Sequence, residues 1–316
     1  MKHNKLQNKI AESEFTFPFC IVAAILMWWL PQREFSIPCL LGLALCLLTT
    51  YVVLETNAQL HIIRIRTRLM SCVWLILGAS LAFMHPLGEP IIAAALLCAS
   101  YFLLFRCYQR HRPQKFVFHA FLMLSLGSFC APVMLLMAIP FFLYLAIFLR
   151  TLPKKAFWAG IIGLIVPYWC YAVWCFVMGD LESFVARLTD MVQFEMPTVE
   201  AVTSLPFIEK VSAGVVALLS IVGILHYLRN NYDDKIRVRM ILYIYVSQTL
   251  LLMAYLLLQP AHYETTMALL VASASPLIAH YFALTGSWLS TIFFLLSLIL
   301  TASMATLNLW LTSFSL

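Results

Sequence analysis

Long apolar runs follow one another along almost the whole chain, and each is interrupted by a few charged, proline or turn residues. A helix needs roughly 20 apolar residues to cross the hydrocarbon core of a bilayer. The pattern therefore predicts an all-α, polytopic transmembrane helical bundle of about eleven spans. The predicted spans are 15–31, 37–54, 69–85, 90–105, 117–131, 133–149, 156–178, 211–228, 240–258, 266–285 and 289–311.

Composition supports an integral membrane protein. Of the 316 residues, 63% are hydrophobic and 11% are charged, whereas soluble domains carry about 25% charged residues. The first run ends in Trp-Trp-Leu-Pro without a small-residue cleavage site, so we expect a retained span rather than a signal peptide. Most of the nine cysteines fall inside apolar runs, which is typical of small hydrophobic residues rather than a disulfide framework or a metal site.

The distribution of basic residues predicts the orientation. Lys and Arg near span ends collect on the cytoplasmic side. With a cytoplasmic N-terminus and eleven spans, 17 of the 20 basic residues are cytoplasmic, and the C-terminus is extracytoplasmic. The expected location is the bacterial inner membrane. The predicted organisation is a tail (1–14), a seven-span bundle (15–178), an amphipathic extracytoplasmic loop (179–210) and a four-span bundle (211–316).

The segment 117–148 contains no charged residue and has two interpretations, one overlong helix or a tight pair of shorter ones. A single span would reverse every later segment, and the basic residues would then divide 12 to 8. The pair preserves the strong asymmetry. Gly127, Ser128 and the Ala131-Pro132 step supply a turn, since proline disfavours helix at the preceding residue.

Three arginines lie on alternate positions of 61-HIIRIRTR-68. On a helix, Arg64 and Arg68 share a face while Arg66 points away, so we predict that the three do not form one pocket. The favoured interpretation is an anchor to the headgroups of anionic membrane lipids. A specific phosphate site is the alternative, because the preceding ETNAQLH segment is more polar than an anchor requires.

The predicted spans carry no charged residue in their interior, which disfavours ion-coupled pumps and antiporters. His119, His226 and His280 lie within spans, and we interpret them as hydrogen-bonded packing residues.

Polar side chains concentrate in the predicted extracytoplasmic loops 31–36, 85–90, 179–210 and 259–265. Apolar residues spaced three and four apart over 181–192 predict a helix lying on the membrane surface, ended by Met196-Pro197. Glu34, Glu89, His262 and Glu264 have two interpretations. Either they solvate short turns, or they converge at a cleft at the level of the lipid, where a carboxylate acts as a general base or holds a divalent cation.

Three segments carry a resemblance to a family of polytopic inner-membrane proteins from Bacteroidota. They are 101-YFLLFRCYQRHRPQKFVFHAFLMLSLGSFCAP-132, 157-FWAGIIGLIVPYWCYAVWCFVMGD-180 and 262-HYETTMALLVASASPLIAHYFAL-284. The layout is also distantly similar to the GT-C class of membrane glycosyltransferases. That similarity implies transfer of a sugar from a polyprenyl-phosphate carrier during cell-envelope biogenesis. Members of that class place a catalytic acid in a long first extracytoplasmic loop, whereas here the loop is only PQREFS.

Three hypotheses for function follow. The first is a GT-C-like transferase with Glu34 as base or metal-linked acid, Glu89, His262 or Glu264 assisting, and Arg33 at the carrier phosphate. Arg64 and Arg68 are further candidate substrate-binding residues. The second is a noncatalytic subunit that binds other envelope membrane proteins, and the third is a small-molecule transporter. Nucleic acid is not an expected partner, because the basic residues occupy separate turns rather than one face.

Overall fold

The computed structural model describes residues 6–29, 36–192, 203 and 205–314. These residues form helices and connecting turns and no strand, which confirms the predicted all-α class. The helices are α1 (Leu6–Glu12), α2 (Thr16–Trp29), α3 (Ile37–Leu60), α4 (Leu69–Ala79), α5 (Glu89–Phe105), α6 (Gln114–Ser128), α7 (Val133–Leu136), α8 (Ala138–Ile147), α9 (Lys154–Met178), α10 (Leu181–Val192), α11 (Phe207–Asn230), α12 (Ile236–Leu258), α13 (Tyr263–Leu284) and α14 (Trp288–Phe314).

Six of the described helices are long and apolar enough to cross a membrane, namely α3, α9, α11, α12, α13 and α14. The helices α2, α4 and α5 and the α7–α8 segment are apolar but shorter. Each of the eleven predicted runs contains a helix. The structure therefore supports a membrane protein with six candidate spans, and the count of eleven stays a prediction.

The predicted span 69–85 is wrong in extent, because α4 ends at Ala79. Leu81 takes an extended backbone conformation, and a short 3-10 turn follows at Ala82–Met84. The ring of His85 folds back so that Nε2 lies 2.9 Å from the carbonyl oxygen of Ala79. That contact satisfies a carbonyl that a continuing helix would have bonded, so the chain leaves the helical path early.

The predicted break in the charge-free segment is confirmed. α6 ends at Ser128, and the next helical residues begin at Val133. After α8 the chain returns to the end at which α6 began, since the Gln109 N–H donates to the carbonyl of Leu149 over 3.2 Å. The two segments therefore form the antiparallel pair that the charge asymmetry favoured.

α13 is the central helix of the bundle, and nearly all of its residues are buried. It packs against α4 and α5 on one side and α11 and α12 on the other, so helices from both predicted bundles share one core. α11 and α13 can approach closely because Gly223 has no side chain. A Cβ at that position would lie only 3.0 Å from the Leu277 backbone. Within this core the hydroxyl groups of Tyr101 and Ser273 form a hydrogen bond of 2.9 Å.

Large apolar side chains cover much of the exterior. Trp158, Trp169 and Trp174 of α9 are all exposed, as expected of side chains that face lipid. The helix predicted within 181–192 is confirmed as α10, whereas its placement on the membrane surface stays a prediction. Met196-Pro197, the predicted end of that helix, lies outside the described residues.

Candidate functional site

A pocket of about 900 Å³ lies where α3 gives way to α4, within the range of about 300–1,000 Å³ that is usual for small-molecule sites. Its walls come from the end of α1, the loop 61–68 and the turn that leads into α12. We call it the loop pocket. Three segments far apart in sequence therefore meet around one cavity.

The buried side chain of Asn57 holds the loop 61–68 in place. α3 ends as His61 enters the left-handed region at φ 51°, a conformation uncommon for a residue other than glycine. The Asn57 amide Nδ2 donates to the carbonyl of Thr67 over 3.0 Å, and its Oδ1 accepts the N–H of Ile63 over 3.1 Å. One side chain thus joins the start of the loop to its end.

α1 forms another fixed wall of the loop pocket. The hydroxyl of Thr67 donates to the carbonyl of Ala11 over 2.5 Å, which ties the loop to α1. The amide of Gln7 donates to the carbonyl of Phe282 over 2.6 Å, which ties α1 to the end of the central helix. The loop pocket is therefore built on the core of the bundle rather than on a free loop.

The lining of the loop pocket contains more positive than negative side chains. Its basic residues are Arg64, Arg66, Arg68, Lys235 and Arg237, and its acidic residues are Glu12, Glu14, Asp233 and Asp234. Two of the acids are already paired. Asp233 lies 3.4 Å from Arg64, and Asp234 Oδ2 lies 3.0 Å from His280 Nε2. Guanidinium groups present forked N–H donors that match phosphate and carboxylate oxygens, so the pocket suits an anion.

The prediction that the three arginines do not share a pocket is wrong. It assumed a helix, but α3 ends at Leu60 and residues 61–68 follow an irregular path. The hydrogen bonds of Asn57 replace those of a helix, so the four-residue periodicity no longer decides where side chains point. Arg64, Arg66 and Arg68 all line the loop pocket.

Glu89, His262 and Glu264, the described residues of the predicted extracytoplasmic cleft, are less closely associated than the residues of the loop pocket. Glu89 and Glu264 are exposed, and His262 is half-buried. Glu264 lies close enough to Glu209 to interact with it electrostatically. No hydrogen bond or ion pair between described residues joins Glu89 to His262 or Glu264, so the predicted cleft stays a prediction.

Arg33 and Glu34, the central residues of the transferase hypothesis, lie outside the described residues. Within the described part of the chain, no group of three or more His, Cys, Asp or Glu side chains is arranged to hold a metal ion. A divalent cation held by Glu34 accordingly stays a prediction.

Sequence reasoning missed the pairing of Asp234 with His280. His280 is buried and hydrogen-bonded, which confirms its interpretation as a hydrogen-bonded packing residue, but its partner is a carboxylate 46 positions away, and both side chains are almost completely buried. The available signal was the acidic pair Asp233-Asp234, which lies in a predominantly basic turn just before Lys235, Arg237 and Arg239. Because Asp234 lines the loop pocket, its contact with His280 lies at the wall of that pocket.

No protein-family model matches the chain, and no curated protein sequence or solved structure matches it either. The resemblances drawn from the sequence therefore stay predictions, and the geometry of the site alone supports a functional proposal.

Proposed function

We propose that this protein is an integral membrane protein that binds a phosphate-bearing lipid in the loop pocket, with a polyprenyl-phosphate-linked sugar as the ligand class. One observation carries the proposal. A loop fixed by a buried asparagine presents three arginines to a single cavity. Because the backbone of this loop is already fixed, binding an anion requires ordering of the arginine side chains but not of the loop.

The apolar part of the lining supports a lipid rather than a freely soluble anion. Leu54, Ile65 and Val238 line the same cavity as the arginines. An amphiphile can therefore place its phosphate among the guanidinium groups and the first carbons of its chain against apolar side chains. The exposed apolar exterior of the bundle suits the remainder of the chain.

The proposal includes a topology of eleven spans in the bacterial inner membrane, with the N-terminus cytoplasmic and the C-terminus extracytoplasmic. The 17-to-3 division of basic residues supports it. In this topology the loop pocket opens at the cytoplasmic leaflet, and α10 lies at the opposite surface. The test is a pair of reporters fused after Leu316, one active only in the cytoplasm and the other only outside it.

Binding, rather than sugar transfer, is the function proposed. The transferase hypothesis depends on Arg33 and Glu34, which the proposed topology places on the extracytoplasmic face, whereas the loop pocket opens on the cytoplasmic face. A lipid-binding protein without transferase activity is one form of the noncatalytic envelope-assembly subunit that the sequence predicted.

The proposal is tested by binding measurements on the full-length protein purified in mild detergent. Polyprenyl phosphate and the corresponding polyprenol, which lacks phosphate, are titrated separately and bound lipid is counted by native mass spectrometry. Replacing Arg64 and Arg68 by Gln should weaken phosphate-lipid binding tenfold or more, since a hydrogen bond to a charged group contributes about 1.5–3 kcal/mol. Arg112→Gln, an exposed arginine outside the pocket lining, is the matched control.

Two results would overturn the proposal. The first is equal binding of polyprenol and polyprenyl phosphate, which would show that the phosphate is not recognised. The second is an equal loss of affinity in the Arg112→Gln control, which would show only a general attraction of anions to a basic surface.

A further inference from the structure

A second cavity, of about 430 Å³, adjoins the loop pocket and shares Leu60 and Arg237 with it. Its lining residues are Gln59, Leu60, Arg106, Tyr108, Arg110 and Arg237. We call it the arginine pocket. Half of these residues are arginines, and none of the six is acidic. The excess of positive charge is therefore greater than in the loop pocket.

Arg106 is held by a relay of polar contacts. Its Nε and Nη2 donate to Oε1 of Gln59, with a distance of 3.1 Å for Nε. The amide nitrogen of Gln59 donates in turn to the carboxylate of Glu55, which fixes the amide with its oxygen toward Arg106. The Arg106 Cζ also lies 4.2 Å from the ring centre of Phe102. Neither hydrogen bond to Gln59 uses Nη1 of Arg106, so the N–H donors of Nη1 are available to a ligand.

The other two guanidinium groups also lie over aromatic rings. The Arg110 Cζ is 4.6 Å from the ring centre of Phe116, and the Arg237 Cζ is 5.8 Å from that of Tyr108. The backbone of Arg110 is held as well, since its carbonyl accepts the hydroxyl of Thr151 over 2.9 Å. Nε of Arg237 is buried and has no hydrogen-bond partner.

We propose that the arginine pocket binds a phosphoryl group, at a site separate from the loop pocket. Three positive charges around one cavity repel one another, and an anion bound between them offsets this repulsion. The rings cover the faces of the guanidinium groups, so the N–H edges are the parts that can meet a ligand. A phosphate monoester carries a charge of about −1.5 to −2 and three acceptor oxygens, which suits three such edges.

Two sources share this chemistry, a soluble phosphate or diphosphate and the phosphomonoester headgroup of a lipid. Two titrations of the full-length protein, one in nanodiscs and one in detergent, distinguish them. In one arm the disc contains only phosphatidylcholine, and pyrophosphate is titrated by calorimetry. In the other arm the protein is titrated in detergent with phosphatidic acid and, for comparison, with phosphatidylcholine. Saturable pyrophosphate binding indicates a soluble source, and saturation by phosphatidic acid alone indicates a lipid source.

Variants assign the binding to the arginine pocket. Arg106→Gln and Arg110→Gln should each weaken it about tenfold or more, whereas Arg112→Gln should leave it unchanged. Arg110→Lys keeps the charge but loses the forked donors, so it should recover only part of the affinity. In the variant with both Arg64 and Arg68 replaced by Gln, binding at the loop pocket is weakened. The saturable binding of pyrophosphate or phosphatidic acid that remains should amount to one equivalent and should still depend on Arg106 and Arg110, which separates this site from the loop pocket.

The outcomes that would overturn the inference are specific. One is the absence of saturable binding in both arms, and the other is an Arg112→Gln variant as weak as Arg106→Gln. Thermal unfolding of each variant without ligand shows whether it is folded. If Arg106→Gln does not fold, Arg110→Gln still decides the question, since the side chain of Arg110 is exposed.

Discussion

Replacing Asn57 by alanine should both destabilise the protein and weaken lipid binding. The variant removes two hydrogen bonds and leaves the N–H of Ile63 and the carbonyl of Thr67 without their partner. An unsatisfied buried polar group costs about 1–3 kcal/mol. We expect a total of about 2–4 kcal/mol, because part of the loop can relax toward water. The loop backbone that carries the three arginines then loses its fixed path, so polyprenyl phosphate should bind at least several-fold more weakly.

The assay is thermal unfolding in detergent, combined with the same lipid titration in native mass spectrometry. Thr56→Ala is the matched control, because Thr56 is the preceding residue of the same helix and is also buried. Its hydroxyl donates only within α3, to the carbonyl of Val52 over 2.6 Å. That variant should cost about 1 kcal/mol or less and should bind lipid normally.

The reasoning is refuted if Asn57→Ala unfolds at the wild-type temperature and binds polyprenyl phosphate with unchanged affinity. It is also refuted if Thr56→Ala loses as much lipid binding, since the effect would then belong to α3 as a whole. Loss of stability with unchanged binding would retain the role of Asn57 in folding but remove its role in ordering the loop pocket.

Three other predictions concern the bundle and its surface. Gly163→Leu should destabilise the protein by about 1–3 kcal/mol or more, because a Cβ there would lie 2.5 Å from a backbone oxygen of α6. Hydrogen bonds from the side chain and backbone of Ser183 lower the pKa of Asp180. The ionised carboxylate should therefore stabilise the start of α10 at neutral pH, and this stabilisation should disappear as the pH falls through the lowered pKa. Hydrogen exchange of the α10 amides measures it. His280→Leu should cost about 3–5 kcal/mol in thermal unfolding, because it leaves the carboxylate of Asp234 buried without its partner.

Each of these predictions has a control. Gly214→Ala meets no heavy atom within 4 Å and should be close to neutral, so equal damage there would contradict the packing argument. Asp180→Asn keeps an acceptor oxygen at every pH and should abolish the pH dependence of exchange in α10. A double variant with leucine at positions 234 and 280 should be more stable than His280→Leu alone. A double variant that is less stable would show that the buried side chain of Asp234 without its partner is not the cause.

The predictable part of the fold rests on local properties of the chain. Length and hydropathy of a run decide whether a helix can form in lipid, so every predicted run contains a helix. The break after Ser128 was predictable for the same reason, because glycine and proline act on the backbone at their own positions. The end of α4 was not, since it depends on a ring nitrogen of His85 bonding back across several residues.

Hydropathy does not distinguish a central helix from a peripheral one. The most apolar windows of α9 and α13 have similar mean hydropathies, 1.9 and 1.7, yet 17% of the first is buried in the protein and 89% of the second. Lipid and protein interior are both apolar, so the two environments select similar residues. Only packing, helped by small residues such as Gly223, places α13 at the centre.

The sequence by itself determined the class of the protein, the position of its helices and the concentration of basic residues in one set of turns, because these follow from composition and from neighbours along the chain. Only the tertiary structure decided that Arg64, Arg66 and Arg68 share a pocket and that Asp234 meets His280. A turn has no periodicity from which side-chain directions can be calculated. Its shape is decided by partners such as Asn57, which bond to it only after the helices have packed.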